Sequence, residues 1–130
     1  MKIQAFEVPY DSGHFQERMG LGPGALVKAG LVSRLRFLGH EVVTERLRIA
    51  DEFPSEIKTS FAVARNLSER IARGREQNSL PVVLSGNCNA ALGTIAALNA
   101  EKLGVLWFDA HGEFHTPETT RSGFLDGMGP

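Results

Sequence analysis

An alternation of short strand-like runs with helix-like segments most constrains how this chain can fold. Four runs have the composition of strands, at residues 1–9, 41–49, 80–84 and 103–108. The three segments between them carry apolar residues at helical spacing. This β-α-β-α-β-α-β order predicts a single α/β domain over residues 1–130, built on a mainly parallel sheet of about four strands.

The second of the three predicted helices has the clearest pattern. It is expected to begin near Pro54 and to end at Gly74, with one apolar stripe at 4-3-3-4 spacing. The stripe consists of Ile57, Phe61, Ala64, Leu67 and Ile71. The first helix is expected to begin at Pro23 and to be capped at Gly39. The third, at residues 89–100, is rich in small residues, which predicts close packing against a neighbour.

The strand-like runs differ in polarity, and this predicts their places in the sheet. Residues 41–49 are the more polar run, as expected of a strand at a sheet edge. Residues 80–84 and 103–108 are apolar throughout, as in strands buried on both faces of a parallel sheet. We expect these two runs to pair directly and to place the fourth strand beside the third, in the order 2-1-3-4.

Length and charge exclude several classes of protein. The chain has 130 residues, one domain at most, with a formal net charge of −1. Nucleic-acid and anionic-membrane partners are not expected, because they call for a clustered basic excess. No apolar run approaches the roughly 20 residues that cross a bilayer. Cys88 is the only cysteine, so an internal disulfide is excluded, and a cytoplasmic location is expected.

A group of metal-binding residue types follows the last apolar run. Asp109, His111, Glu113 and His115 are spaced two residues apart. If the extended conformation continues past Phe108, these side chains share one face, at the edge of the sheet where ligands bind. Carboxylates and an imidazole together suit Mn, Fe or Zn. The alternative interpretation is an irregular, solvated loop whose polar residues cap nearby helices.

Two further segments are candidates for the same site. Cys88 lies between a strand and a helix, where the helix N-terminus is expected to lower the thiol pKa and to favour a metal-binding or nucleophilic thiolate. The alternative is a small buried hydrophobic residue. Residues 116–123, which are dense in hydroxyl groups and charge, form either a binding surface for a polar substrate or a solvated loop.

These residues resemble those of a known family. Residues 107–123 are similar to the Asp-Ala-His-x-Asp, Asn-Thr-Pro and Ser-Gly elements of the arginase, agmatinase and formimidoylglutamase superfamily, the ureohydrolases. Residues 84–89 resemble, more loosely, the family's Gly-Gly-Asp-His-Ser element, and residues 20–31 resemble its first loop and helix. The resemblance implies a three-layer α/β sandwich. It also implies two bridged manganese ions and hydrolysis of a small linear amidine or guanidino substrate by metal-bound hydroxide.

The resemblance assigns roles position by position. Asp109 corresponds to the carboxylate that bridges the metals, His111 to a ligand of one metal and Glu113 to a ligand of the other. Cys88 stands where the family has its first metal-binding His. His115, Thr119 and Ser122 correspond to the substrate-binding region, and Asp126 stands where a His proton shuttle is usual. Asp126 and His115 are therefore the candidates for moving a proton to the leaving amine.

The sequence departs from the family pattern at Cys88 and in its lack of a later Asp-x-Asp motif, and three hypotheses of function therefore stay open. The first is the metal-dependent hydrolase, in which the soft sulfur of Cys88 makes Zn or Fe an alternative to Mn. The second is a catalytically inactive, truncated member that acts through oligomerisation or weak metal binding, because the family's later Asp-x-Asp motif has no counterpart in the sequence. The third is metal-free thiol chemistry with Cys88 as nucleophile and His111 as base. A homo-oligomer is expected, since apolar faces would otherwise remain bare.

Overall fold

The computed structural model describes residues 1–49, 54–98 and 103–129, and within them a sheet flanked by helices. The strands are β1 (Lys2–Val8), β2 (Tyr10–Asp11), β3 (His14–Phe15), β4 (Glu41–Arg46) and β5 (Ser79–Ser85). The helices are α1 (Gly22–Lys28), α2 (Leu31–Phe37), α3 (Glu56–Glu76) and α4 (Ala90–Leu98). Single turns of 3-10 helix lie at Arg18–Leu21 and Leu125–Gly127.

Three of the strands form a parallel sheet in the order β4-β1-β5. β1 lies in the centre, and its two neighbours pair with it along its length, from Lys2 opposite both Glu41 and Ser79 to Val8 opposite Ser85. The polar strand β4 lies at an edge, as its composition predicts. The short strands β2 and β3 form a separate antiparallel pair.

Alternate residues of β1 supply the cores of two layers. Ile3 and Ala5 pack with Val32 of α2 and Val42 of β4 on one face. The opposite face carries a larger cluster, formed by Phe6, Val8, Tyr10, Leu47, Val63, Leu67, Ile71, Ala90 and Ala97. Helices therefore cover both faces of the sheet, and the α/β three-layer arrangement is confirmed.

The first predicted helix is divided into two short helices. α1 ends before Gly30, which has a φ of +98°, and α2 begins at the next residue. Glycine adopts this left-handed conformation without steric cost, so it interrupts an otherwise continuous apolar pattern. Gly39, with a φ of +85°, follows the end of α2, in agreement with the predicted cap.

The long helix α3 begins where Ser55 Oγ accepts a hydrogen bond from the Lys58 backbone N–H at 3.3 Å. Its buried face is rotated relative to the predicted stripe: Leu67 and Ile71 are buried, but Ile57 and Phe61 are more than half exposed. The predicted end at Gly74 is also wrong, because the helix continues to Glu76. The buried residues are Thr59, Val63, Leu67, Ile71 and Gly74.

Helix α4 packs closely on α3, as its small residues predict. An added Cβ at Gly93 would lie 2.9 Å from the Ala64 Cα, so a side chain at position 93 would separate the two helices. The helix begins at Ala90 and ends at Leu98. The last two residues of the predicted helix, 99 and 100, lie outside the described residues.

The predicted fourth strand is wrong. Residues 103–108 form neither a helix nor a strand, and Leu106 and Phe108 are 86% and 93% exposed. They do not pair with β5, so the predicted order 2-1-3-4 is reduced to 2-1-3 in the described part of the chain. Residues 105–109 are instead separated from β5 and α4 by a groove of about 410 Å³. Consequently β5 is only partly buried, with Leu84 its one buried residue.

The helices also bear on the membrane prediction. Across the three described ranges, no helix is both long and apolar enough to cross a bilayer.

Candidate metal site

The candidate site lies where β1 and β5 end, at the carboxyl edge of the sheet. The turn after β5 approaches the chain after β1 so closely that an added Cβ at Gly86 would lie 2.6 Å from the Gly20 backbone nitrogen and would also meet the Tyr10 carbonyl oxygen. Only glycine permits this approach. It brings residues 87–89 beside Asp11 and fixes the position of Cys88.

Cys88, Asp109 and Glu113 form a group that could hold a metal ion. One ligand atom from each lies within 4.8 Å of the other two. The Cys88 thiol donates a hydrogen bond to Asp109 Oδ2 at 3.5 Å. Glu113 Oε2 is buried, and none of the described residues forms a hydrogen bond with it. Two atoms bound to one ion at about 2.0–2.3 Å are at most roughly 4.6 Å apart, so small shifts fit all three to a single ion.

His111 lies next to this group but contributes no ligand atom to it. Its backbone N–H donates to Asp109 Oδ1 at 3.0 Å, and its ring Nδ1 lies 3.5 Å from the same oxygen. The His111 side chain is 82% exposed. The chain therefore turns at Asp109 and does not continue as a strand, and the predicted period-2 face is wrong. Asp109 and Glu113 come together because the backbone folds back, with a φ of +54° at Glu113.

A short antiparallel pairing holds Glu113 in place. Phe114 forms a bridge with Met128, the Gly129 N–H donates to the Glu113 carbonyl at 3.1 Å, and the His115 N–H donates to the Gly127 carbonyl at 3.0 Å. The pairing brings the 3-10 turn that carries Asp126 to the site.

Asp126 is joined to the other side of the site through Asn89. Asp126 Oδ1 accepts hydrogen bonds from both the side-chain amide and the backbone N–H of Asn89. The Asp126 pKa is raised from 3.8 to about 6: burial is the main cause, the Asn89 backbone hydrogen bond opposes the rise, and the charges of Asp11, Glu56 and Glu113 add to it. A carboxyl group of this pKa can accept and release a proton close to neutral pH.

The predicted lowering of the Cys88 pKa is wrong. Burial above all, then the hydrogen bond to Asp109 and the charges of Asp109, Asp126 and Glu113, together raise the thiol pKa from 9.0 to about 11. These carboxylates outweigh the short helix that follows. The hydrogen bond from the His111 backbone, by contrast, lowers the Asp109 pKa. A thiol that keeps its proton at neutral pH does not favour the metal-free nucleophile hypothesis.

A cleft of about 990 Å³ opens beside the group and is acidic. Its charged lining comprises the carboxylates of Asp11, Glu113 and Asp126 and one guanidinium, that of Arg18, which pairs with Asp11 at 3.1 Å. The two imidazoles of His111 and His115 also line it. Such a cleft is complementary to a cationic ligand.

The substrate-binding candidates are placed unequally. His115 and Thr119 line the cleft, whereas Ser122 does not. The Thr119 hydroxyl accepts a hydrogen bond from the Thr116 N–H at 2.8 Å, and Ser122 Oγ accepts one from the Phe124 N–H at 3.2 Å. Both hydroxyls therefore stabilise turns of their own segment in this structure.

Sequence reasoning missed Asp11 and Asn89 as parts of the site. Asp11 is buried beside the cleft, and Asn89 is buried and holds Asp126. The position of Asp11 was a usable signal, since it follows the central strand and so belongs to the same sheet edge as Cys88. Asn89 had no comparable signal, because its partner is distant in the sequence.

Comparison with known proteins gives matches along almost the whole chain. The sequence profile of the arginase family matches residues 1–129. The arginase of Bacillus caldovelox is 33% identical over 139 residues, which cover 97% of this chain and 46% of that protein. The arginase of Bacillus subtilis strain 168 is 32% identical, with the same coverage. The chain thus spans about half the length of these relatives.

Solved structures show the same relation. Arginase from Bacillus subtilis superposes with a TM-score of 0.87 at 30% identity, over 98% of this chain and 44% of that one. Arginase from Entamoeba histolytica, in complex with L-ornithine, gives a TM-score of 0.84 at 29% identity, over 98% of this chain and 46% of that one.

Proposed function

The chain belongs to the arginase family, and on that premise we propose that it serves a metal-dependent hydrolase of a linear amidine or guanidino compound. The observation that carries the proposal is the group of Cys88, Asp109 and Glu113 beside an acidic cleft. A buried, unpartnered carboxylate oxygen on Glu113 is costly unless a cation or a donor satisfies it.

A divalent metal is the cofactor of the proposed reaction. The arginase family uses divalent metal, and the resemblance favours manganese, with Zn or Fe as the alternatives that the Cys88 sulfur permits. When bound, such an ion lowers the pKa of a coordinated water and polarises the group under attack. Asp109 and Glu113 would hold the ion through their carboxylates. His111, beside Asp109, would orient that carboxylate through its backbone N–H.

The charge of the cleft indicates the class of substrate. Guanidinium and amidinium groups are planar cations that pair well with carboxylates, and the cleft presents those of Asp11, Glu113 and Asp126. The Entamoeba relative was solved with L-ornithine, a cationic amino acid, in agreement with a cationic substrate class. His115 and Thr119, which line the same cleft, are the side chains we assign to substrate contact.

Asp126 is our principal candidate for moving the proton to the leaving amine, with His115 as the second. The Asn89 amide fixes the Asp126 carboxyl at the cleft, and a pKa of about 6 lets it exchange a proton near neutral pH. Asp126→Asn would therefore reduce turnover more than it reduces substrate binding.

The test is product release by the purified chain, loaded separately with manganese and with zinc, from L-arginine, agmatine and formimidoylglutamate. We expect urea from L-arginine or agmatine, or formamide from formimidoylglutamate, and loss of that activity in Asp109→Asn. The matched control is Glu118→Gln, because Glu118 is exposed and outside the cleft lining. Metal binding without product from any of the three would contradict the proposal.

The inactive-member hypothesis is the second candidate, and a specific observation favours it. The one metal-binding group in the described residues supplies three ligands, which suit a single ion, whereas the family resemblance implies two bridged ions. A protein that binds metal but hydrolyses none of the three substrates would be this second kind.

We also propose that the chain forms a homo-oligomer through the exposed side of β5 and residues 103–108. Leu106 and Phe108 are almost fully exposed there, beside an apolar groove. A second copy would cover this surface. Sedimentation is expected to show association that Leu106→Lys and Phe108→Lys weaken. A wild-type chain that stays monomeric at all concentrations would contradict it.

A further inference from the structure

The metal-binding group mixes one sulfur with two carboxylates, and this composition bears on which ion it selects. We propose that Cys88, Asp109 and Glu113 form a single-ion site that selects Zn²⁺ over Mn²⁺, with the Cys88 sulfur bound to the ion. This inference rests on the metal site of the proposed function and concerns the identity of the ion and its sulfur ligand.

The sulfur is one of the three candidate ligand atoms that lie close together. It is 3.5 Å from Asp109 Oδ2, and the candidate ligand atoms of all three residues lie within 4.8 Å of one another. An ion placed between these three atoms would therefore contact the sulfur as well as both carboxylates. The hydrogen bond from Cys88 to Asp109 holds the two candidate ligands side by side.

Sulfur and carboxylate together suit zinc better than manganese. Mn²⁺ prefers hard oxygen ligands in octahedral sites, whereas thiolate is a soft ligand that favours Zn²⁺. Affinities for divalent ions also rise from Mn²⁺ towards Zn²⁺ in the same site. Three protein ligands leave one position of a tetrahedral zinc ion open for water, as in catalytic zinc sites. The group is therefore compatible both with zinc selection and with a hydrolytic role.

The chain offers an unambiguous optical test, because Cys88 is its only cysteine. Co²⁺ replaces Zn²⁺ in such sites, and a thiolate bound to Co²⁺ gives a ligand-to-metal charge-transfer band in the near ultraviolet. Titration of the purified chain with Co²⁺ is expected to produce this band and to saturate at about one equivalent. The band should be absent in Cys88→Ser and retained in the control Glu69→Gln, which changes an exposed residue of α3.

Competition between ions provides the second readout. Equilibrium dialysis against Zn²⁺ and Mn²⁺ together should give a zinc preference that falls roughly tenfold or more in Cys88→His, because imidazole is a harder ligand than thiolate. Circular dichroism of each variant establishes that it is folded. If Cys88→Ser does not fold, the cobalt spectrum of the wild type still decides whether sulfur is bound.

The outcomes separate this inference from the proposed function. Cobalt binding without a charge-transfer band, or an unchanged ion preference in Cys88→His, overturns the zinc proposal even if the protein hydrolyses a substrate. A saturating band together with failure to release product supports the zinc site and contradicts the hydrolase instead.

Discussion

Residues 80–84 and 103–108 are both apolar throughout, yet their environments differ. The first run pairs with the central strand β1 and buries Leu84, while the second has no strand partner and exposes Leu106 and Phe108. Apolar composition gives a segment the capacity to be a strand, but a neighbour's backbone has to accept its hydrogen bonds. The candidate site draws its residues from both settings, since Cys88 follows the paired run and Asp109 and Glu113 follow the unpaired one.

The largest expected effect comes from truncating the same residue type in each run. Leu84 is 9% exposed, and Leu84→Ala should lower the free energy of unfolding by about 2–5 kcal/mol. In the dissociated chain, at concentrations below those at which copies associate, Leu106→Ala removes an exposed side chain and should change stability by less than about 0.5 kcal/mol. Urea denaturation of the two variants measures both. Equal losses would mean that the second run is buried in solution, as it would be in a tight oligomer.

Gly86, which follows the first run, and Gly104, which lies within the second, give the next test. Gly86→Ala introduces a Cβ against the backbone of Tyr10 and Gly20, and should destabilise the fold by about 1–3 kcal/mol. The Cβ of Gly104→Ala meets no atom of the described residues within 4 Å, so this change should be neutral or slightly stabilising. Thermal unfolding of both variants is the measurement. A neutral Gly86→Ala would show that the turn after β5 can move away from β1.

Two serine side chains accept hydrogen bonds from the backbone, and we expect a smaller difference in stability between their alanine variants. Ser55→Ala removes the cap of α3 and should cost about 1 kcal/mol of unfolding free energy. Ser122→Ala removes a similar bond in an exposed turn and should cost only a few tenths of a kcal/mol. Denaturation with urea again compares them. A larger loss for Ser122→Ala would show that its turn is a stabilising part of the fold.

The smallest expected effect is a dependence of stability on pH through Asp126. Its pKa is raised from 3.8 to about 6 in the folded protein, so between these values the folded state holds a proton that the unfolded chain releases. The stability of the wild type relative to Asp126→Asn should fall as the pH rises from about 4 to about 6 and stay constant above. Water screens this half-exposed group, so we expect a change under about 1 kcal/mol.

Unfolding of both proteins in metal-free buffer across this pH range is the measurement. Parallel stability curves for wild type and Asp126→Asn would show that the carboxyl group is not buried as described.

Much of the fold was predictable because it follows from the residue types within single strands and helices. The apolar residues of β1, the polarity of β4 and the small residues of α4 each predicted an element or its place. The fourth strand was not predictable, because the pattern at residues 103–108 does not encode whether a partner strand is present. The rotation of α3 was missed for a related reason: its stripe of large apolar residues is broader than the face that β1 and α4 can cover.

The candidate site was likewise predictable from the sequence only in part. Cys88, Asp109 and Glu113 were identified from residue type and position, and the structure brings them together. Their arrangement was not predictable, because it depends on a turn at Asp109 and on the pairing of residues 113–115 with residues 127–129. Asn89 was missed because its role exists only once Asp126 lies beside it.

The central position of β1 has a consequence for the order of assembly. β1 precedes both of its neighbours in the chain, and its register with β5 joins Val8 to Ser85. During synthesis the segment that will occupy the middle of the sheet must wait, with its apolar residues unpaired, until the last of its partners has been made. Pairing β1 with β5 closes the long loop of chain between them, which is entropically costly. Sheet formation should therefore be slow and sensitive to chaperones that bind β1 before its partners are made.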